Sequence, residues 1–157
     1  MGDRPSFRIR LARAGDEAAV GLLSYRASTT DAPAWATIIP IDDEIDWARS
    51  AIKAADPTTA LLVAADAGEQ VLGFIVVVPV TDLSGHRHGH IASIAVTPEA
   101  EGHGIGKALL AAAEEWCREQ GFADVTLHVY PGNNRARQVY ERAGFELEWH
   151  RLRKDLA

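Results

Sequence analysis

Val96-Thr97-Pro98-Glu99-Ala100-Glu101-Gly102-His103-Gly104-Ile105-Gly106-Lys107 reads as the end of a strand, a glycine-rich turn and the opening of a helix. The apolar run Ile91–Val96 precedes it and Thr97-Pro98 ends that run. Ile105, Leu109, Ala112, Ala113 and Trp116 then recur at the three- and four-residue steps of an amphipathic helix, which Gly121 closes. A turn of this kind aims several backbone N–H groups in one direction, and the helix adds about +0.5 charge at its N-terminus. Residues 102–107 are therefore expected to cradle phosphate, with glycine admitting the ligand closer to the backbone than a Cβ permits.

Spacing separates the phosphate motifs that share this logic. The Walker pattern needs Gly-x4-Gly-Lys-Ser/Thr, but Glu101 stands at its first glycine and Ala108 at its magnesium-binding hydroxyl. The dinucleotide fingerprint Gly-x-Gly-x-x-Gly would start at Gly102 and need glycine where Lys107 stands. A nucleotide-binding domain is disfavoured on both counts. What remains is Gly-x-Gly after a strand ending in Val-x-Pro.

Working outward, Ala60–Ala65 and Gln70–Val78 are valine-rich runs joined by Asp66-Ala67-Gly68-Glu69, a hairpin composition. The polar stretch 82–90, with His86, His88 and His90, separates them from Ile91–Val96. Phe7-Arg8-Ile9-Arg10-Leu11 alternates as a strand does, and Ala14-Gly15-Asp16 opens a helix whose apolar set is Ala18, Ala19, Leu22, Leu23 and Tyr25. Residues 29–40 read as a loop. Asp42 or Asp43 caps a second helix that runs through Ala55 and stops at Asp56-Pro57. Beyond the glycine-rich segment, Val125, Leu127 and Val129 form a strand, residues 133–143 a helix and Phe145–Leu152 a last extended segment. The order βααβββαβαβ predicts one α/β domain over residues 1–157 with a mixed sheet, its C-terminal half built from strand-helix-strand units.

Composition agrees with a single core-forming domain. The chain has 157 residues, 47% hydrophobic and 24% charged, and a chain this long buries about 68–70% of its unfolded surface without staples. One cysteine, Cys117, cannot form an internal disulfide and points to a reducing, cytoplasmic setting. The longest uncharged apolar run, Val71–Val80, is broken by Gly73 and Pro79 and falls short of the roughly 20 residues a membrane span needs. Met1–Leu11 has no apolar core and does not read as a secretory signal. Gly2 and Ser6 fit the short myristoylation pattern, which chance often produces. A net charge of −6, from 16 basic and 22 acidic residues, argues against a nucleic-acid partner.

A second segment stands in the right order and separation from the first: Asn133-Asn134-Arg135-Ala136-Arg137-Gln138-Val139-Tyr140-Glu141-Arg142-Ala143-Gly144-Phe145. Helical steps of three and four put Asn133, Ala136 and Tyr140 on one face. With both segments in view, the sequence resembles the GNAT superfamily of acyl-CoA N-acyltransferases, over nearly the whole chain and most firmly from about His90 to Phe145. The resemblance implies a central mixed, mostly antiparallel sheet flanked by about four helices. It implies acetyl-CoA as co-substrate, no metal, and acetyl transfer to a primary amine of a small molecule, amino acid, peptide or antibiotic. It further implies that the amides of Gly102, His103, Gly104, Ile105, Gly106 and Lys107 hold the CoA pyrophosphate. The backbone of Ile94, Ala95 and Val96 would pair with the pantetheine arm, Asn133 and Tyr140 would flank the thioester, and Ala136 on the same face would also contact the cofactor. The chain departs from the family at Glu101, where Arg or Gln is usual. A carboxylate there repels phosphate unless it turns outward or is offset by Lys107, His103, Arg135 or Arg137. Dimers are common in the family, and an exposed edge on the last strand would let two copies pair.

The implied reaction is direct attack of the amine on the thioester in a ternary complex. An alkylamine with a pKa of about 10.4 is almost all ammonium at neutral pH, so a base must take its proton. The departing thiolate needs a proton in turn, and Tyr140, with a reference pKa of about 10, still carries one. His90 is the candidate base, placed six residues before Val96 where some lysine-acetylating members carry glutamate. His128 and Asp31 compete for that role. The plainer alternative leaves His86, His88 and His90 in a solvated loop, where the same set without cysteine or a defined carboxylate makes a poor metal site. Plainer readings also exist for Asn133 as a helix cap, Tyr140 as a core tyrosine and Cys117 as a packed small side chain. The competing function is a non-catalytic acyl-CoA-binding or sensing module, which has no need of a phenol at the thioester. Asp31, Asp42, Asp43 and Glu44 lean toward a cationic acceptor.

Overall fold

Valine- and isoleucine-rich runs become strands and the three-four apolar repeats become helices. The computed structural model describes residues 6–156, so Gly2 of the acylation pattern lies outside the described residues. The elements are β1 (Phe7–Leu11), α1 (Glu17–Thr29), α2 (Ile41–Ala54), β2 (Ala60–Asp66), β3 (Val71–Thr81), β4 (Arg87–Val96), α3 (Ile105–Glu119), β5 (Val125–Leu127) and α4 (Asn134–Arg142), with a 3-10 turn at Pro98–Ala100. The strands lie in sequence order. β1 and β2 pair antiparallel across the segment that holds α1 and α2, β2 to β4 follow as antiparallel neighbours through short turns, and β5 joins β4 in parallel through the α3 crossover. This is the mixed, mostly antiparallel sheet expected.

Each face of the sheet carries its own core. On one, Ile75, Val77 and Ile91 meet Ile105, Leu109 and Ala113 of α3. On the other, Val63, Phe74 and Val76 meet Val20 and Leu23 of α1 and Ala48 of α2. Full burial of each Val, Leu, Ile or Phe among them is worth about 1.5–3 kcal/mol, so the two layers hold the sheet from both sides. α1 is anchored by Asp16, 6% exposed. Its carboxylate takes both Arg10 amines, at 2.7 and 3.1 Å, and the Arg13 amide at 2.9 Å. Burial alone would raise the Asp16 pKa, but these hydrogen bonds and the Arg10 charge outweigh it and hold it below the usual carboxylate range.

Four expectations need correction. The polar stretch 82–90 is not all loop: β3 continues to Thr81 and β4 begins at Arg87. Only a tight turn remains, in which Asp82 Oδ1 accepts from the Ser84 and His86 amides at 2.8 and 3.0 Å. Alternating polar residues on a strand look like loop when polarity is read without pairing. In α1, Val20 is buried where Leu22 is 52% exposed. α2 begins at Ile41 with Pro40 before it and without a side-chain cap, so Asp42 and Asp43 act on the helix dipole from its first turn. Finally, β5 ends at Leu127 rather than Val129, and residues 145–152 form no strand. Alternation there specifies extended backbone but supplies no neighbour to pair with. Leu147, Trp149 and Leu152 stay 70%, 72% and 93% exposed. The last-strand edge expected to join two copies is therefore not formed. Among the described residues no helix is long and apolar enough to cross a membrane.

Candidate active site

β4 pairs with β3 along nearly its whole length, yet with β5 only at Gly89, His90 and Ile91. The β3–β4 register shifts where Val76 faces Ser93 and Val77 faces Ile91, leaving Ala92 as an extra residue on β4. A bulge bends its strand and sharpens the local twist. Past Ile91 the two parallel strands thus part, and the β4 edge from Ala92 to Val96 lines an open groove.

The glycine-rich turn closes one end of this edge. Thr97 is tied back by its amide to Leu72 O at 2.8 Å. Gly102 and Gly104 have φ of 79° and 84°, which side chains rarely adopt. Gly104 precedes α3, and no side chain caps the first amides of that helix. A Cβ placed on either glycine meets no atom within 4 Å. The open space beside unclaimed amides fits a phosphate, with exposed His103 and Lys107 alongside.

Glu101 does not face this cradle as a bare carboxylate. Arg26 of α1 reaches its Oε1 at 2.6 Å and Arg135 of α4 its Oε2 at 2.7 Å. Arg26 Nε also donates to Val96 O at 3.1 Å, so the cluster joins α1, the end of β4, the turn and α4. Burial would raise the Glu101 pKa, but the Arg26 and Arg135 hydrogen bonds and charges prevail and lower it. Arg135 was an expected offset, whereas Arg137 instead pairs with Glu141 at 2.8 Å. A unit charge about 8 Å from a phosphate, at an effective dielectric between protein surface and water, is worth roughly 1 kcal/mol. Glu101→Gln is accordingly expected to tighten acetyl-CoA binding about fivefold and steepen its salt dependence. Calorimetry at two ionic strengths checks this, and unchanged affinity would mean the two guanidiniums already neutralise the carboxylate.

α4 forms the facing wall. Asn133 caps it by accepting the Ala136 amide on Oδ1 at 3.0 Å, as the plainer reading expected, which leaves its amide donors for a ligand. From 133 to 142, only Asn133, Ala136 and Tyr140 are half-buried; the other residues are exposed. The Tyr140 ring meets Phe145 edge-on at 6.0 Å and packs against the hydrophobic cluster that α3 shares with the sheet. Burial pushes the Tyr140 phenol above its ordinary value of 10. It is a proton carrier at neutral pH.

A histidine group lies where β4 and β5 still touch. His90 Nδ1 is 2.8 Å from Thr126 Oγ1, and the His90 and His128 rings lie 4.8 Å apart. His88 is 7% exposed, and its Nδ1 has no partner among the described residues. His86 pairs with Asp124 at 2.9 Å and stacks on His88 at 5.5 Å. Burial first, then the proximity of His128 and His88, hold the His90 pKa below 6.5. His90 is then neutral at pH 7, and the tautomer that donates from Nδ1 to Thr126 leaves Nε2 as an acceptor. Asp31 follows α1 in left-handed backbone with φ 54° and lines the same groove as this pair. Among the described residues no group of three or more His, Cys, Asp or Glu side chains is arranged to hold a metal ion. Cys117 is buried and its pKa is raised by that burial, as a packing thiol requires.

Residues 22–145 match the acetyltransferase (GNAT) family. The chain belongs to that family. It is 39% identical over 92 residues to a mycothiol acetyltransferase of Propionibacterium freudenreichii, covering 59% of this chain and 29% of that protein. It is 32% identical over 83 residues to N-acetyltransferase 8F1 of Rattus norvegicus, covering 52% of this chain and 38% of that one. The chain therefore spans less than two-fifths of either relative. Among solved structures, an aminoglycoside N-acetyltransferase in complex with CoA superposes with a TM-score of 0.77 at 17% identity, over 100% of this chain and 99% of that chain. A putative acetyl transferase from Pyrococcus furiosus gives 0.74 at 23% identity, over 96% of this chain and 100% of that chain. These likenesses agree with the fold derived above. The site residues that sequence reasoning missed are Arg26 and Thr126. Each acts through a partner 36 or more positions away, so no local pattern marks it.

Proposed function

We propose that this GNAT protein is an N-acetyltransferase that moves an acetyl group from acetyl-CoA to a primary amine in a ternary complex. The observation that carries the reading is the parting of β4 and β5. It frees the β4 edge between the His90 end of the ladder and the glycine-rich turn, and Tyr140 lines the same groove. In this reading the amides of residues 102–107 hold the pyrophosphate. The backbone of Ile94 to Val96 pairs with the pantetheine amides, as an added strand would. His90 Nε2 takes a proton from the amine nitrogen, which forms the new C–N bond as the C–S bond breaks. Tyr140 gives its phenolic proton to the departing sulfur and recovers one from solvent. A single thiol and an acyl-CoA donor suit a cytoplasmic setting.

Calorimetric titration with acetyl-CoA, CoA, ATP and NAD, followed by thiol release against a panel of primary amines, tests the assignment. Acetyl-CoA binding with amine-dependent thiol release is the expected result. Binding without turnover on any amine would favour an acyl-CoA sensor, and tight ATP or NAD binding in place of acetyl-CoA would overturn the assignment.

A further inference from the structure

Trp35, in the loop between α1 and α2, meets Tyr130, which follows β5. The rings pack edge to face with centroids 6.0 Å apart, so the loop and the strand end join over the groove that both residues line. Trp35 is still 51% exposed. A cation already lies on its ring: the Arg153 guanidinium carbon stands 4.9 Å from the centroid. Arg153 comes from the extended segment after α4 that pairs with no strand. A guanidinium is drawn to the indole face by the ring quadrupole, and at an exposed site that attraction is small enough for another cation to compete. Asp31 and Asp43 line the same groove, and the net charge of −6 adds a field that draws cations in.

We infer that Trp35 and Tyr130 form a cation-binding subsite of the acceptor groove, filled in the free protein by Arg153. The acceptor amine then carries a second cationic group, a guanidinium or another ammonium, that displaces Arg153. The word acceptor rests on the transferase reading, whereas the subsite does not. The arrangement explains why a half-exposed tryptophan stands in a loop with a basic side chain over it. It also gives the segment after α4 a role: it holds the subsite until the second cation arrives.

Agmatine, a guanidinium and a primary amine on one chain, is the probe, and its urea isostere keeps the shape without the guanidinium charge. Binding is read by NMR titration without any acyl donor. The isostere is expected to bind several-fold more weakly than agmatine. Arg153→Ala should tighten agmatine about two- to fivefold by removing the internal competitor. Trp35→Leu should weaken agmatine by a similar factor and abolish the effect of Arg153→Ala, while Trp35→Phe retains part of the affinity. Equal binding of the isostere, or effects of Arg153→Ala and Trp35→Leu that simply add, would overturn the subsite. If the agmatine pattern holds but acetyl-CoA does not bind, the transferase reading fails and the subsite stands. If amines turn over but binding ignores the guanidinium charge, the subsite alone fails.

Discussion

Tyr140→Phe is expected to lower kcat by about 10²–10⁴-fold, the range for loss of a positioned acid-base group, while leaving the dissociation constant for acetyl-CoA unchanged. The substitution removes one oxygen and keeps the ring. The edge contact with Phe145 and the packing against the cluster therefore survive. As the proposed proton donor, Tyr140 would act only when sulfur departs, so its loss should appear in kcat rather than in binding. Thiol release at saturating amine, with a parallel calorimetric titration, measures both quantities. A kcat loss below tenfold would remove Tyr140 as the donor, and a matching loss of acetyl-CoA affinity would make it a packing residue of the donor groove. Because burial raises the phenol above its usual value, the alkaline fall in kcat should lie above pH 10.

His90→Gln should cost about 10²-fold at neutral pH and erase the acid limb of the rate profile. The sign follows from the environment. Burial, His128 and His88 all disfavour the imidazolium, so His90 stays a base to a pH below 6.5. The wild-type rate at saturating amine should hold level from neutral pH to below 6.5 before it falls. His128→Gln removes one of the like-charged neighbours and should shift that limb upward, toward the ordinary histidine value. An acid limb that persists in His90→Gln would move the base to His128 or Asp31. A limb that does not respond to His128→Gln would mean the two rings, 4.8 Å apart, titrate independently.

Much of this site is legible in the sequence because its parts are local. The turn from Glu101 to Lys107 and the face shared by Asn133, Ala136 and Tyr140 each sit within a few residues, where glycine φ and helical spacing act directly. The order of strands and helices follows from the same short-range periodicities. What the sequence hides is set by pairing. His88 and His90 look like loop residues until β4 is seen beside Val80 and Val78 of β3. The polarity of residues 82–90 masks an alternation that only its partner strand completes. Phe145–Leu152 shows the reverse error, since a period of two marks a strand only where an edge accepts it. The Glu101 cluster depends on Arg26, 75 positions earlier, and the charge at Glu101 cannot be judged without it.

The short ladder between β4 and β5 also shapes how the free protein breathes. Amides held on both sides of a strand exchange with solvent only when a large unit opens, whereas those on an unpaired edge exchange through small local fluctuations. Beyond Ile91, β4 has a ladder partner on the β3 side alone. The amides that face the groove between Ala92 and Val96 should therefore be among the first in the sheet to take up deuterium, while their neighbours directed at β3 remain slow. An extended ligand laid along that edge would complete the ladder and protect them. One strand edge would thus report, amide by amide, whether a ligand lies along it, without any chemistry taking place.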